Sequence, residues 1–180
     1  MKSLILTTAM LLARPGLAVT PIVTNQGDAL GVTMPLYGVD RIKPAALLSI
    51  GKASIEGQRH GFFRVGILPL LVLENVEIEF KSQPPDATAL GCLGAAFDTL
   101  GKTSAAELRD FAIVICGQPV LSASEARPEP DASVRLSKVV LHGQEGHPLD
   151  TATLYTTGRK AGEITYENNG VRQTENLFVQ

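Results

Sequence analysis

Tryptophan is absent from the chain, and the three aromatic types together make up 5% of it. Recognition by stacking on indole or on rows of aromatic rings therefore has few tools here. A basic excess is missing too, since 16 Lys and Arg stand against 18 Asp and Glu. Phosphate backbones demand a basic footprint, and Arg59, Arg64, Arg159, Lys160 and Arg172 are scattered. No nucleic-acid partner is expected. Only two cysteines and three histidines are present. Cys92 and Cys116 do not form a Cys-x-x-Cys pair, which excludes a zinc ribbon or a thioredoxin-type site.

The N-terminus carries Lys2, then an apolar run from Leu4 to Ala13 broken by Thr7 and Thr8, then "RPGLA". Pro15, with Gly16 and Ala18 at the −3 and −1 places of a cut, completes the layout of a secretory signal peptide over residues 1–18. The run is too short to span a bilayer, which needs about 20 residues. The chain is expected to be exported, to the periplasm or outside the cell, with no transmembrane span after signal removal. Losing Lys2 and Arg14 leaves 14 basic against 18 acidic residues. In an oxidising compartment Cys92 and Cys116 are candidates for one disulfide. Their apolar contexts, "LGCLGAAF" and "FAIVICG", fit two free thiols packed as small hydrophobes equally well.

Residues 19–45 show no sustained period and read as an extended lead-in. "ALLSIGKASIEG" and "GFFRVGILPLLVL", separated by "GQRHG", read as a hairpin, with a bend or a strand start at Pro69. "NVEIEFK" alternates, with Val76, Ile78 and Phe80 on one face and Glu77 and Glu79 on the other. "PPDATALGCLGAAFDTLGK" has helical spacing: Asp86 caps it, Leu90, Leu93, Phe97 and Leu100 share a face, and Gly101 ends it. Gly91 and Ala95 offer a narrow second face for close approach. Ser104 and Glu107 form a capping box for a short second helix, leading into a buried strand, "FAIVIC". "GQPVLSASEARPEPDA" reads as an exposed connector. Four alternating runs follow ("SVRLSKVVLH", "TATLYTT", "GEITYEN" and "ENLFV"), with "ENNG" as a turn before the last. The expected fold class is β-rich α+β, with antiparallel strands in two groups and a central helical insert at about 86–110. Residues 19–180 form one β-rich domain, either single or as two lobes joined at 117–133.

The chemistry-bearing motifs are few. "LHGQEGHPLD" holds His142, Glu145 and His147, and His60 is the remaining histidine. The spacing His-x-x-Glu-x-His matches neither His-Glu-x-x-His nor its inverse. Gly143, Gly146 and Pro148 oppose a helix there, so a polar turn is expected and no metal site. "LGKTS" lacks the glycine that a phosphate loop needs, because Ala96 holds that place. No Gly-x-Ser-x-Gly occurs. No catalytic or cofactor-binding residue is assigned.

The stretch from "LHGQEGHPLD" through "TATLYTTGRKAGEITYENNGVRQ", with "LPLLVLENVEIEF" as an earlier rung, resembles the β-jellyroll proteins of lipopolysaccharide transport in the bacterial periplasm. The resemblance covers residues 134–180, and the central helix departs from it. It implies an apolar groove for acyl chains and carries no catalytic position. The expected function is an exported, non-enzymatic binding or structural protein that uses a sheet face for lipid or an envelope protein. The alternative is a small exported hydrolase, metal-dependent or not.

Overall fold

Apolar residues at alternate positions, broken by Gly, Asn and Pro, favour extended chain over most of the length. The computed structural model describes residues 22–23, 28–37, 44–60, 63–82, 85, 87–103, 105–143 and 148–178. The strands are β1 (Ile22–Val23), β2 (Ala29–Tyr37), β3 (Pro44–His60), β4 (Phe63–Phe80) and β5 (Ala105–Ile115). They continue as β6 (Gln118–Pro128), β7 (Ser133–Leu141), β8 (Leu149–Tyr155), β9 (Glu163–Asn168) and β10 (Val171–Asn176). One helix, α1 (Ala87–Thr103), lies between β4 and β5. All ten strands join in one open sheet in sequence order. Every pairing is antiparallel except β4 with β5. A parallel pair requires a crossover, and α1 supplies it.

The chain is thus β-rich, as expected, but a single sheet stands where two strand groups were expected. Residues 118–128 are not a connector between lobes. They form β6, an interior strand whose Leu121, Ala123 and Ala126 are buried. Residues 105–110 are not a second helix: pairing of Leu70–Glu74 with Ala105–Arg109 makes them the first half of β5. The lead-in contains β2, which pairs with β3. The last strand ends at Asn176, and Leu177 and Phe178 form a turn beyond it. The expected hairpin of β3 and β4 is present, with its register shift next to Gly57 and Pro69. "ENNG" turns β9 into β10, with Asn169 and Gly170 both at positive φ. Residues 1–18 lie outside the described residues, as does Asp86.

One crease crosses the sheet. The ladders skip Gly31 in β2 and Gly51 in β3, then Asn75 in β4 and Asp110 in β5, and resume in unchanged register. They likewise skip Ser124, Lys138 and Asp150 in β6, β7 and β8. All seven residues are exposed. Positive φ falls on Gly31, Asn75, Asp110 and Lys138, in the strands that run one way, and not on Gly51, Ser124 or Asp150, in those that run the other. At the crease the strand is rotated locally, so the core-facing positions on its two sides lie three apart instead of two. The pairs are Leu73 and Val76, Leu108 and Phe111, Ala123 and Ala126, and Leu136 and Val139, all buried.

Helix α1 covers this inner face. Leu93 and Phe97 are buried, Leu90 and Leu100 pack beside them, and Phe97 meets Phe111 edge to face at 6.2 Å. Gly91 faces open space, and close approach comes instead at Gly94 and Gly101. A Cβ at Gly94 would lie 2.6 Å from the Thr156 carbonyl oxygen. One at Gly101 would collide with the Glu129 carbonyl. Gly101 therefore sits inside the helix, which runs on to Thr103. A small apolar cavity of about 30 Å³ remains between α1 and the sheet, lined among others by Leu48, Val76, Phe97 and Leu100. That is room for one water without polar partners, so the cavity stays dry.

Candidate functional site

The inner face is committed to the fold. Ala152 and Leu154 of β8 and Ile164 and Tyr166 of β9 are buried, with 6% exposure at most. These positions would line the acyl-chain groove that the resemblance implies, and protein fills that space. Among the described residues no helix is long and apolar enough to cross a membrane.

The outer face carries alternating charge. Strand residues two apart share it, which brings Glu107 and Arg109 of β5 beside Glu125 and Arg127 of β6. Glu107 is the hub and is buried although charged. Its two carboxylate oxygens accept hydrogen bonds from Arg109 Nε and Arg127 Nη2, each at 2.9 Å. Arg109 also reaches Glu56 at 3.4 Å and Glu74 at 3.7 Å. The hydrogen bond to Glu107 raises the Arg109 pKa above the ordinary guanidinium value, against the opposing effect of desolvation. The two guanidinium groups compensate the buried carboxylate and tie β5 to β6. The sequence pattern suggests a helix cap for Glu107. Its actual role shows only once β5 and β6 are placed side by side.

The histidine segment divides. His142 follows β7, donates its backbone N–H to the Val120 carbonyl at 3.0 Å, and sets Nε2 3.0 Å from Ser122 Oγ. Both residues lie on the surface of the β6–β7 hairpin, with His142 exposed and Ser122 partly so. Glu145 and His147 lie outside the described residues, and so does the side chain of His60. Among the described residues no group of three His, Cys, Asp or Glu side chains is placed to hold a metal ion. Cys116 occupies the β5–β6 turn with Gly117, both at positive φ, and carries an exposed free thiol. The thiol sits 3.6 Å from the Lys81 carbonyl. Cys92 lies in α1, and its side chain is outside the described ones, so the expected pairing of Cys92 with Cys116 falls there.

The C-terminal edge is the remaining feature. Among the described residues strand β10 pairs only with β9, and its residues Val171–Thr174 and Asn176 are exposed. Tyr166, on β9, donates its hydroxyl to Glu175. Burial and then this acceptor push the phenol up to about 12. Thr165 and Thr174 meet hydroxyl to hydroxyl at 3.1 Å. Beyond the strand, Leu177 N–H donates to the Gly162 carbonyl at 2.9 Å, and Phe178 N–H to Asn176 Oδ1 at 2.9 Å. Phe178 then turns inward onto Gly162, where a Cβ would collide with its ring. Comparison of the chain with protein families, with curated proteins and with solved structures gives no match.

Proposed function

We propose that the protein is an exported, non-enzymatic binding or structural protein that takes an envelope protein onto its antiparallel sheet along the C-terminal edge. The observation that carries this reading is the contrast between the two last strands. Ile164 and Tyr166 of β9 are buried, whereas β10 beside it ends the sheet with side chains exposed on both faces. An edge strand offers unpaired backbone N–H and C=O groups, the basis of recognition by strand addition. The filled inner face favours a protein partner over lipid, because the rung-like residues have no free apolar surface to offer an acyl chain. The hydrolase alternative has less support: the Ser122–His142 contact lies on the surface and does not line the cavity under α1.

Site-specific photo-crosslinking in envelope fractions tests the reading. A crosslinker at Thr174 is expected to capture one defined protein, and one at Leu154 to capture neither protein nor lipid. Lipid labelling from Leu154 would overturn it in favour of a groove. N-terminal sequencing of the same material is expected to begin near Val19, and an intact Met1 in a cytosolic fraction would end the export reading.

A further inference from the structure

We infer that β10 and the following Leu177–Phe178 form a displaceable strap over the edge of β9, and that the uncovered socket accepts an extended partner segment with an acidic residue followed three positions later by an aromatic one. This deepens the sheet-edge reading proposed above and rests on it.

The strap is attached differently from the strands between β3 and β9. The β3–β9 strands each bury at least one side chain in the core or its rim, whereas β10 buries none. Val171, its one large apolar residue, is 59% exposed. Its contacts include the ladder to β9, the Thr165–Thr174 and Tyr166–Glu175 contacts, the Leu177–Gly162 backbone bond and the buried Phe178 ring. A strand with one neighbour and no buried apolar row opens locally long before the whole sheet does.

Opening would leave a specific imprint. The free edge of β9 would present its backbone groups, Tyr166 would lose the acceptor of its hydroxyl, and the bare backbone of Gly162 and the Phe80 ring would each lose their contact with the Phe178 ring. The chain's own segment shows what satisfies each of these: a carboxylate at Glu175 and a phenyl ring at Phe178. A partner strand with the same acid-x-x-aromatic spacing satisfies them all together. The backbone pairing is indifferent to sequence, so these two side chains carry the selectivity.

Hydrogen exchange on the unmodified full chain tests the strap without any variant. Amides of residues 172–176 are expected to exchange about 100-fold faster than those of β5–β7, through local opening. Phe178→Ala and Gly162→Ala are each expected to speed them further while leaving β5–β7 nearly unchanged. A labelled synthetic peptide of residues 171–180 is then added to the full chain. Saturable binding is expected, tighter to the Phe178→Ala protein, and lost when the peptide carries Glu175→Ala or Phe178→Ala. Protection of β10 equal to that of β5–β7, or refusal of the peptide by the Phe178→Ala protein, overturns the inference. Peptide binding with no protein captured from Thr174 would keep the strap and remove the proposed function. Capture from Thr174 with the peptide refused would do the reverse.

Discussion

Phe178, two residues beyond the last strand, meets Phe80 of β4 edge to face, with ring centroids 5.4 Å apart and planes at 70°. The two residues sit at strand positions six places apart in the sheet order. The sheet therefore curls across its strand order far enough to bring them together. Phe80 also anchors the next hairpin, because its carbonyl accepts the Cys116 N–H at 2.9 Å. Edge-to-face aromatic pairs add about 0.5–1.5 kcal/mol beyond burial.

Truncating either ring should therefore weaken the fold, but unequally. Phe80→Ala is expected to cost about 3–5 kcal/mol, as for buried aromatics in a core. Phe178→Ala is expected to cost less than about 1 kcal/mol of global stability, because its loss frees only the end of the chain, which opens locally. Urea denaturation with an unchanged slope and a shifted midpoint is the measurement. Equal losses at the two positions would contradict this account of the contact.

The glycines of α1 should separate by what faces them. Gly91 is exposed with nothing nearby, so Gly91→Ala is expected to stabilise by about 0.5–1 kcal/mol through helix propensity. Gly94→Ala and Gly101→Ala gain the same propensity but drive a methyl into the Thr156 and Glu129 carbonyls. Overpacking against backbone is expected to reverse the sign, with a net loss of about 1–3 kcal/mol. Thermal unfolding of the three variants decides it.

The crease also explains which parts of the fold were legible in the sequence. "NVEIEFK" lies almost wholly on one side of it and keeps a period of two, so its alternation points to the buried Val76, Ile78 and Phe80 directly. In β5 the inward residues Ala106 and Leu108 are followed by Phe111, Ile113 and Ile115. That step of three falls between strand and helix periods, and it split one strand into an apparent helix plus a short strand. In β6 the same step separates Ala123 from Ala126, and small inward residues between Pro119 and Pro128 look like a connector. Helix α1 was legible because Leu90, Leu93, Phe97 and Leu100 keep an uninterrupted helical spacing. The Glu107 hub was not, since its two arginine partners come from β5 and β6 and meet only through the sheet register.

Cys116 gives a direct chemical test. Its thiol is exposed in a two-residue turn, so alkylation of the native, unreduced protein is expected to modify it rapidly. Peptide mass spectrometry should find the adduct at Cys116. A mass two hydrogens lower with no adduct would instead establish the Cys92–Cys116 bridge.

Tyr166 predicts a limit to alkaline stability. Its phenol is raised from an ordinary value of 10 to about 12 by burial and by the Glu175 acceptor. The folded chain keeps this proton between those values while the unfolded chain loses it, so the unfolded state binds fewer protons there. Stability is then fully present below pH 10 and falls as the pH rises towards 12. Tyr166→Phe has no proton to lose, and its stability should decline less over that window than that of the parent chain. Denaturation midpoints from pH 9 upward, with each protein compared against its own value at pH 9, make the comparison. Parallel curves would show that the phenol is not held as described.

The Glu107 network predicts which charges depend on one another. Glu107 is nearly enclosed, while the Arg109 and Arg127 side chains keep 36% and 57% exposure. Glu107→Gln preserves shape but leaves both guanidinium groups short of their shared anion. Solvent screens those arginines, so the loss should be about 1–3 kcal/mol rather than the larger cost of a fully buried broken pair. Arg109 is the less exposed partner and also contacts Glu56 and Glu74. A double-mutant cycle is therefore expected to give stronger coupling of Glu107 to Arg109 than to Arg127. Coupling near zero for both pairs would mean that the ladder on the outer face is solvated charge and not part of what holds β5 to β6.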